Sequence, residues 1–256
     1  LGAAPLPELV VRDVTSPDEL KLCVGLYEAV FRLGPGDGSL NTRLLVGIVR
    51  NSGIVVGAFD GAEMVGFALS FLAFDRERSQ MYQWSQLAVV AESAQGHGVG
   101  RRLKLAQRDA ARAMGLSLMR WSFDPFRARN AHFNLNVLGA QAFALERNLY
   151  GVHGHGHDVE GSTDRLLAEW DLTVDSPPPR DAVSGGELGV VELSGDRATL
   201  AVPVVFSRPL DETARRLRKE ILDILDYLFR LGFVAVGCDL ESDLRAVYDF
   251  QKLGTT

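Results

Sequence analysis

The chain has 256 residues, 46% of them apolar and 23% charged, and 27 basic against 33 acidic side chains give a net charge of −6. That length can bury the core of one large domain or two small ones, and the negative balance argues against a broad nucleic-acid footprint, leaving room only for a local basic patch. The most apolar long stretch, ILDILDYLFRLGFVAVG, carries Asp223, Asp226 and Arg230, so no membrane span is expected, and LGAAPLPELVV lacks the basic region and long apolar run of a signal peptide.

In chain order, ELVVRDV (8–14) predicts a short valine-rich strand. Ser16 and Pro17, followed by acidic residues, then signal a helix start, and Leu20, Val24, Tyr27 and Phe31 carry one apolar face to about Arg32. LGPGDGS (33–39) ends that helix, and 41–53 predicts a second, weaker one. Strands 53–60 and 63–75 form a hairpin through Gly61, and 81–90 follows as a further strand. A helix over 101–114 closes at Gly115, 116–124 is a strand, and 125–139 reads as a helix opening on Pro125. AFALERNLYG and DRLLAEWDL are two more strands. TVDSPPPRDAVSGGE (173–187), with three prolines and a Gly-Gly pair, reads as a linker. Beyond it come strands at 188–193 and 198–206, an amphipathic helix at 211–231 and a last strand at 233–239.

This order is an α/β arrangement around a mixed sheet: a first domain over 1–173, a linker over 174–187 and a smaller α/β extension over 188–256. The helix stripe Leu217, Ile221, Leu225, Leu228 and Phe229 suits packing against the extension's own strands or against a second subunit, a homodimer. Cys23 and Cys238 stand far apart without metal-ligand spacing, which favours reduced core thiols in a cytoplasmic protein over a disulfide.

AQGHGVGRR places Gly96, Gly98 and Gly100 at alternate positions before a helix. A Walker-type loop would need Lys-Ser or Lys-Thr after its last glycine, and here Arg101 and Arg102 follow. A dinucleotide fingerprint would be GxGxxG near the first strand, and the spacing is GxGxG after a later one. What fits is a glycine turn whose N–H groups, at the positive end of a helix, hold a phosphate; a plain tight turn is the alternative. Two cations in a first helical turn oppose the helix dipole unless an anion sits there.

QLAVVAESAQGHGVGRRL resembles the acetyl-CoA-binding motif of the GNAT acyltransferase superfamily, in which a Leu-x-Val strand runs into Gln/Arg-x-x-Gly-x-Gly/Ala and a helix. Leu87, Val89, Gln95, Gly98 and Gly100 match it, and WSFDPFRARNAHFNLNVLGA resembles the following strand and helix. The resemblance implies a GNAT-like fold, with a mixed, mainly antiparallel central sheet flanked by helices, over residues 8 to 173. It implies an N-acyltransferase that passes an acetyl or succinyl group from acyl-CoA to the amine of a small molecule, without metal, nucleic acid or membrane. A sensor of the same fold that binds acyl-CoA without turnover is the other reading.

The same resemblance implies that Leu87, Ala88 and Val89 pair with the pantetheine arm. The N–H groups from Gly96 through His97, Gly98, Val99 and Gly100 to Arg101 would hold the pyrophosphate. Asn130 would contact pantetheine or cap its own helix. Two features depart from the family pattern: the chain is one residue longer between Val89 and Gln95, with Ala91 in place of a usual proline. The tyrosine that often protonates the leaving thiolate would fall near Leu135, where there is none.

For the base, Asp124 stands directly after strand 116–123, although Asp-Pro is also a helix-start pair. Ser85, two positions before Leu87, is expected on the same side of the strand as Leu87 and could orient the acceptor. Glu92 and His132 are weaker. Arg127 and Arg129 would suit a carboxylate on the acceptor, which makes an amino acid a candidate substrate. His153, His155, His157 and Asp158 could face one side and bind a metal, but the glycines between them favour a loop over the acceptor site.

Overall fold

The computed structural model describes residues 9–33, 40–151, 162–177, 179–206 and 209–252. These form two compact units. The first runs to Arg120 and includes Asp171–Thr173; the second comprises Trp121–Trp170 and the chain from Val174 onward. His153, His155, His157 and Asp158 lie outside the described residues, as does 34–39.

In the first unit, β1 (Leu9–Asp13) pairs antiparallel with β2 (Ile54–Asp60), which continues through β3 (Glu63–Asp75) and β4 (Gln80–Val90) as an antiparallel meander. Helix α1 (Pro17–Phe31) starts where the Ser16 hydroxyl accepts the Glu19 N–H at 3.3 Å, a cap worth about 1 kcal/mol. Asn41 does the same for α2 (Thr42–Arg50), taking the Leu44 N–H at 2.9 Å. Leu20, Cys23 and Leu45 of these helices share a core with Phe67 and Leu69 of β3.

The opposite face of β3 lies under α3 (Val99–Ala113): a Cβ at Gly66 would sit 3.1 Å from both Val99 and Leu103. Because both faces are covered, β2 is buried along almost its whole length. β5 (Leu118–Phe123) runs parallel to β4, with Gln83 opposite Met119 and Trp84 opposite Arg120.

In the second unit the helix expected over 125–139 is different in kind. The Asp124 carboxylate accepts the Phe126 N–H at 2.8 Å, which holds 124–126 in a turn, so α4 begins only at Ala128 (Ala128–His132). It then widens into a π-helical turn, Phe133–Val137, that closes before Gly139. β6 (Gln141–Glu146) and β7 (Arg165–Asp171) form an antiparallel pair. β8 (Val191–Ser194) starts three residues later than expected and pairs with β9 (Arg197–Pro203).

Helix α5 (Glu212–Arg230) is capped by Asp211, and its buried stripe Ile221, Leu225 and Leu228 continues into Phe229, whose ring meets Phe250 at 6.1 Å. β10 (Phe233–Leu240) is followed by a strand with no counterpart in the sequence reading, β11 (Arg245–Lys252). β11 lies between β10 and β9, giving the antiparallel order β7-β6-β10-β11-β9-β8.

The described residues of the proline-rich 174–187 carry neither helix nor strand and belong to the second unit. It is tied down as a strap. Arg180 forks onto Asp239, the Val183 N–H reaches Asp239 at 3.0 Å, and Arg245 binds the carbonyls of Gly185 and Gly186. Both cysteines are buried free thiols; loss of solvent pushes Cys23 up to about 12 and raises Cys238 as well. Among the described residues no helix is long and apolar enough to cross a membrane.

Candidate functional site

At the end of β4 the chain passes through Ala91 and a single 3-10 turn, Glu92–Ala94, before the glycines. The Gln95 amide reaches back to the Val90 carbonyl at 3.2 Å and the His97 ring meets the Gln95 carbonyl at 3.0 Å, so the loop is braced by its own side chains. The glycines do not share one role. Gly96 and Gly98 take φ of +80° and +77°, a left-handed conformation that a side chain would strain, and a Cβ on either would meet nothing within 4 Å. Their surroundings are open, so the demand is for backbone conformation and accessible backbone. Gly100 lies inside the first turn of α3.

Gly98 is the N-cap of α3, and the first bond back to it comes from the Arg102 N–H at 3.1 Å. The N–H groups of Gly98, Val99, Gly100 and Arg101 therefore have no acceptor within the helix. The two arginines divide. Arg102 is bound to the Leu9 carbonyl at 2.8 Å and holds β1. Arg101 is exposed and makes no bond among the described residues, so it remains at the positive helix end as a cation without an anion. Glu92 pairs with Arg32 at 3.3 Å on the surface.

β4 itself corrects the expected placement of Ser85. Leu69 pairs with Leu87 and Ser70 with Ser85, so Gln86 is an extra residue, a bulge. Cross-strand partners share a face, and the bulge puts Leu87 on the side of α1 and α2 with Leu69, and Ser85 on the side of α3 with Ser70. There the Ser85 hydroxyl accepts from Lys104 at 2.7 Å and donates to Gln107 at 3.1 Å. All three side chains are buried, and burial pushes the Lys104 amine down to about 7. Ser70 Oγ and Gln107 Nε2, in the same layer, have no hydrogen-bond partner among the described residues.

Sequence reasoning missed Lys104 and Gln107. The signal was available, since Val99, Leu103, Gln107 and Ala111 repeat at four residues and make Gln107 part of the buried stripe.

The remaining candidates belong to the second unit. Asp124, half-buried at the end of β5, is raised by desolvation, against the opposing pull of Arg165, Arg127 and Arg218. The exposed Arg127 guanidinium makes no hydrogen bond or ion pair among the described residues, while Arg129 pairs with Asp243 at 3.0 Å. Asn130 is exposed inside α4; the cap position is Arg127, so the capping alternative for Asn130 does not hold. Leu135 is buried in the π-helical turn. His132 is bonded through Nδ1 to the Cys238 carbonyl at 2.8 Å and braces β10.

No protein-family model and no curated protein sequence matches the chain. Solved structures do. The Salmonella typhimurium protein yncA, solved with its cofactor acetyl-CoA, is 19% identical, and the match covers 68% of this chain and 99% of that one at a TM-score of 0.50. A GNAT-family acetyltransferase from Streptococcus pneumoniae matches at 15% identity, over 63% and 98% of the two chains, with the same TM-score. A chain of the NatC complex bound to Gag peptide and CoA is 10% identical, over 64% and 98%, again at 0.50. With its antiparallel meander, its parallel β4–β5 pair and its glycine turn into α3, the chain has, over about two thirds of its length, the fold of the GNAT acyltransferases.

Proposed function

We propose that the chain is an acyl-CoA-dependent N-acyltransferase that acts on the amine of a small molecule, with acetyl-CoA the simplest donor. The observation that carries this reading is the glycine turn: two left-handed glycines open to solvent, N–H groups without helical acceptors, and the uncompensated Arg101. Such a turn suits a pyrophosphate through backbone donors and helix polarity together. The GNAT fold supports it, as does acetyl-CoA bound to the Salmonella protein.

An acyl-CoA supplies an activated thioester, so no covalent nucleophile is required of the protein. In this reading Leu87, Ala88 and Val89 align the pantetheine arm along β4, and Gln95 keeps the turn in register with the strand end. As the amine nitrogen bonds to the acyl carbon, the carbon–sulfur bond breaks and the amine loses one proton. Asp124 is proposed to take that proton, directly or through water, since its raised carboxyl pKa brings it closer to a base matched to neutral pH. Arg127, free at the surface, is proposed to bind a carboxylate on the acceptor. Asn130 is a proposed pantetheine contact from α4. The buried Leu135 favours a second reading, acyl-CoA binding without turnover, because no acid stands there for the leaving thiolate.

Calorimetric titration with acetyl-CoA and succinyl-CoA tests the donor site, and saturable binding is expected. No heat at about 1 mM ligand, where even weak sites of roughly 4 kcal/mol begin to fill, would remove both readings. Thiol release across a panel of amines then separates enzyme from sensor. In that assay Asp124→Asn is expected to lower kcat by about 100-fold or more and to abolish the acidic limb of the pH profile, with CoA affinity unchanged. Arg127→Ala is expected to raise KM for carboxylated amines alone. Equal effects on carboxylated and uncarboxylated amines would count against that role.

A further inference from the structure

The second unit also holds a cavity whose charged lining plays no part in the acyl-transfer reading. Phe250 of β11 packs on α5, so by period-two alternation Val247, Asp249 and Gln251 point the other way. On that side a cavity of about 460 Å³ is lined by Leu135 and Asn136 of the π-helical turn, Pro177 and Arg180 of the strap, and Val236 and Asp249 of the sheet.

Three features that ordinarily cost stability meet there. One is the π-helical turn, a rare geometry that recurs at functional sites. The second is close approach over glycine: a Cβ on Gly139 would lie 2.7 Å from Pro177, and a Cβ on Gly237 would overlap the Arg180 guanidinium. The third is a buried ion cluster. Arg180 forks onto Asp239, with Nη1 and Nη2 at 2.9 Å from its two oxygens, and Asp249, whose side chain is 1% exposed, accepts from Arg180 at 3.2 Å and Arg197 at 2.9 Å. Both of those last bonds fall on Oδ2; Asp249 Oδ1 and Arg180 Nε are buried without hydrogen-bond partners among the described residues. Buried charges are weak contributors to stability, and strained features gathered around one cavity point to use of that cavity.

The charges on the wall define what fits. Asp181 lines the cavity, is exposed and makes no bond among the described residues. Arg197 lines it too, is 58% exposed and spends its one bond on Asp249. A free carboxylate and a largely free guanidinium thus share one space with apolar Pro177 and Val236. Its volume is many times the roughly 30 Å³ share of a water molecule and falls in the range of small-molecule pockets. A simple cation would leave the remaining N–H donors of Arg197 without an acceptor, and a simple anion would leave Asp181 unanswered. We infer that this cavity binds a small zwitterion of the free-amino-acid class, its ammonium toward Asp181 and Asp249 and its carboxylate toward Arg197.

The inference requires neither CoA nor turnover, so it is tested by binding alone. Thermal-shift screening of the protein against the proteinogenic amino acids, followed by calorimetry, is expected to find saturable binding below about 10 mM. The best ligand's amide, which lacks the carboxylate, and its deaminated acid are each expected to bind at least about tenfold more weakly. Arg197→Gln, at an exposed side chain, should erase the preference for the amino acid over its amide. Val236→Trp, checked for native circular dichroism, should abolish binding by filling the cavity. No saturation by any amino acid, equal affinity for the amide, or binding that both variants leave intact would overturn the assignment.

Discussion

Lys104→Met is expected to stabilise the protein at neutral pH and to flatten the dependence of its stability on pH. The Lys104 amine is buried against Ser85, and loss of solvent lowers its pKa from 10.5 to about 7. Between those values the unfolded chain holds a proton that the folded chain releases. Lowering the pH through that window therefore favours unfolding, and the penalty is complete below about 7. At about 1.4 kcal/mol per pKa unit the penalty is several kcal/mol. Methionine follows the same path through the core without a charge, and Ser85 keeps Gln107 as a partner. A gain of about 1–3 kcal/mol is expected at pH 7, shrinking toward pH 10. Urea unfolding at pH 6, 8 and 10 measures it. A variant that is destabilised at pH 6, or that keeps the wild-type slope, would show that Lys104 is stabilising as a cation.

The second large effect is expected from Gly98→Val. At φ +77° a β-branched residue is strongly disfavoured, so the N-cap of α3 must shift, although no neighbour lies within 4 Å to clash with the new side chain. The helix can re-form its first turn around another cap, so the thermal midpoint should fall by only a few degrees, in line with about 1–2 kcal/mol. The N–H groups of Val99 to Arg101 would no longer converge on one point, and affinity for acetyl-CoA should fall at least about 30-fold, near 2 kcal/mol. Gly100→Ala, inside the helical turn, should leave the loop conformation intact and serves as the comparison. Unchanged CoA affinity in Gly98→Val would take the pyrophosphate away from this turn.

What could be read from the sequence were features whose physical cause is local. Ser16-Pro17 marks a helix start wherever it occurs, and Gly96 and Gly98 announce a left-handed backbone before a helix. The errors arose where a long-range partner changes what a residue means. β11 was invisible because Asp249 reads as a surface residue; only the guanidinium groups of Arg180 and Arg197 make it an interior one. Ser85 was placed on the wrong side because alternation assumes an unbroken strand, and the extra residue Gln86 is visible only in the pairing with β3. The stretch 125–139 read as one helix because apolar spacing does not distinguish an α-helical turn from a π-helical one. Of the candidate site, the donor loop was legible, while Lys104 was hidden by the habit of reading lysine as solvent-exposed.

The position of β11 has a consequence for synthesis. It is the last strand of the described chain, yet it lies inside its sheet, with β10 on one edge and β9 on the other. Until residues 245–252 have left the ribosome, both neighbours present unpaired backbone edges, open to pairing with other chains. A nonsense or frameshift change at the codon for Arg245 would therefore remove the shared seam of the second unit, and the truncated product should aggregate.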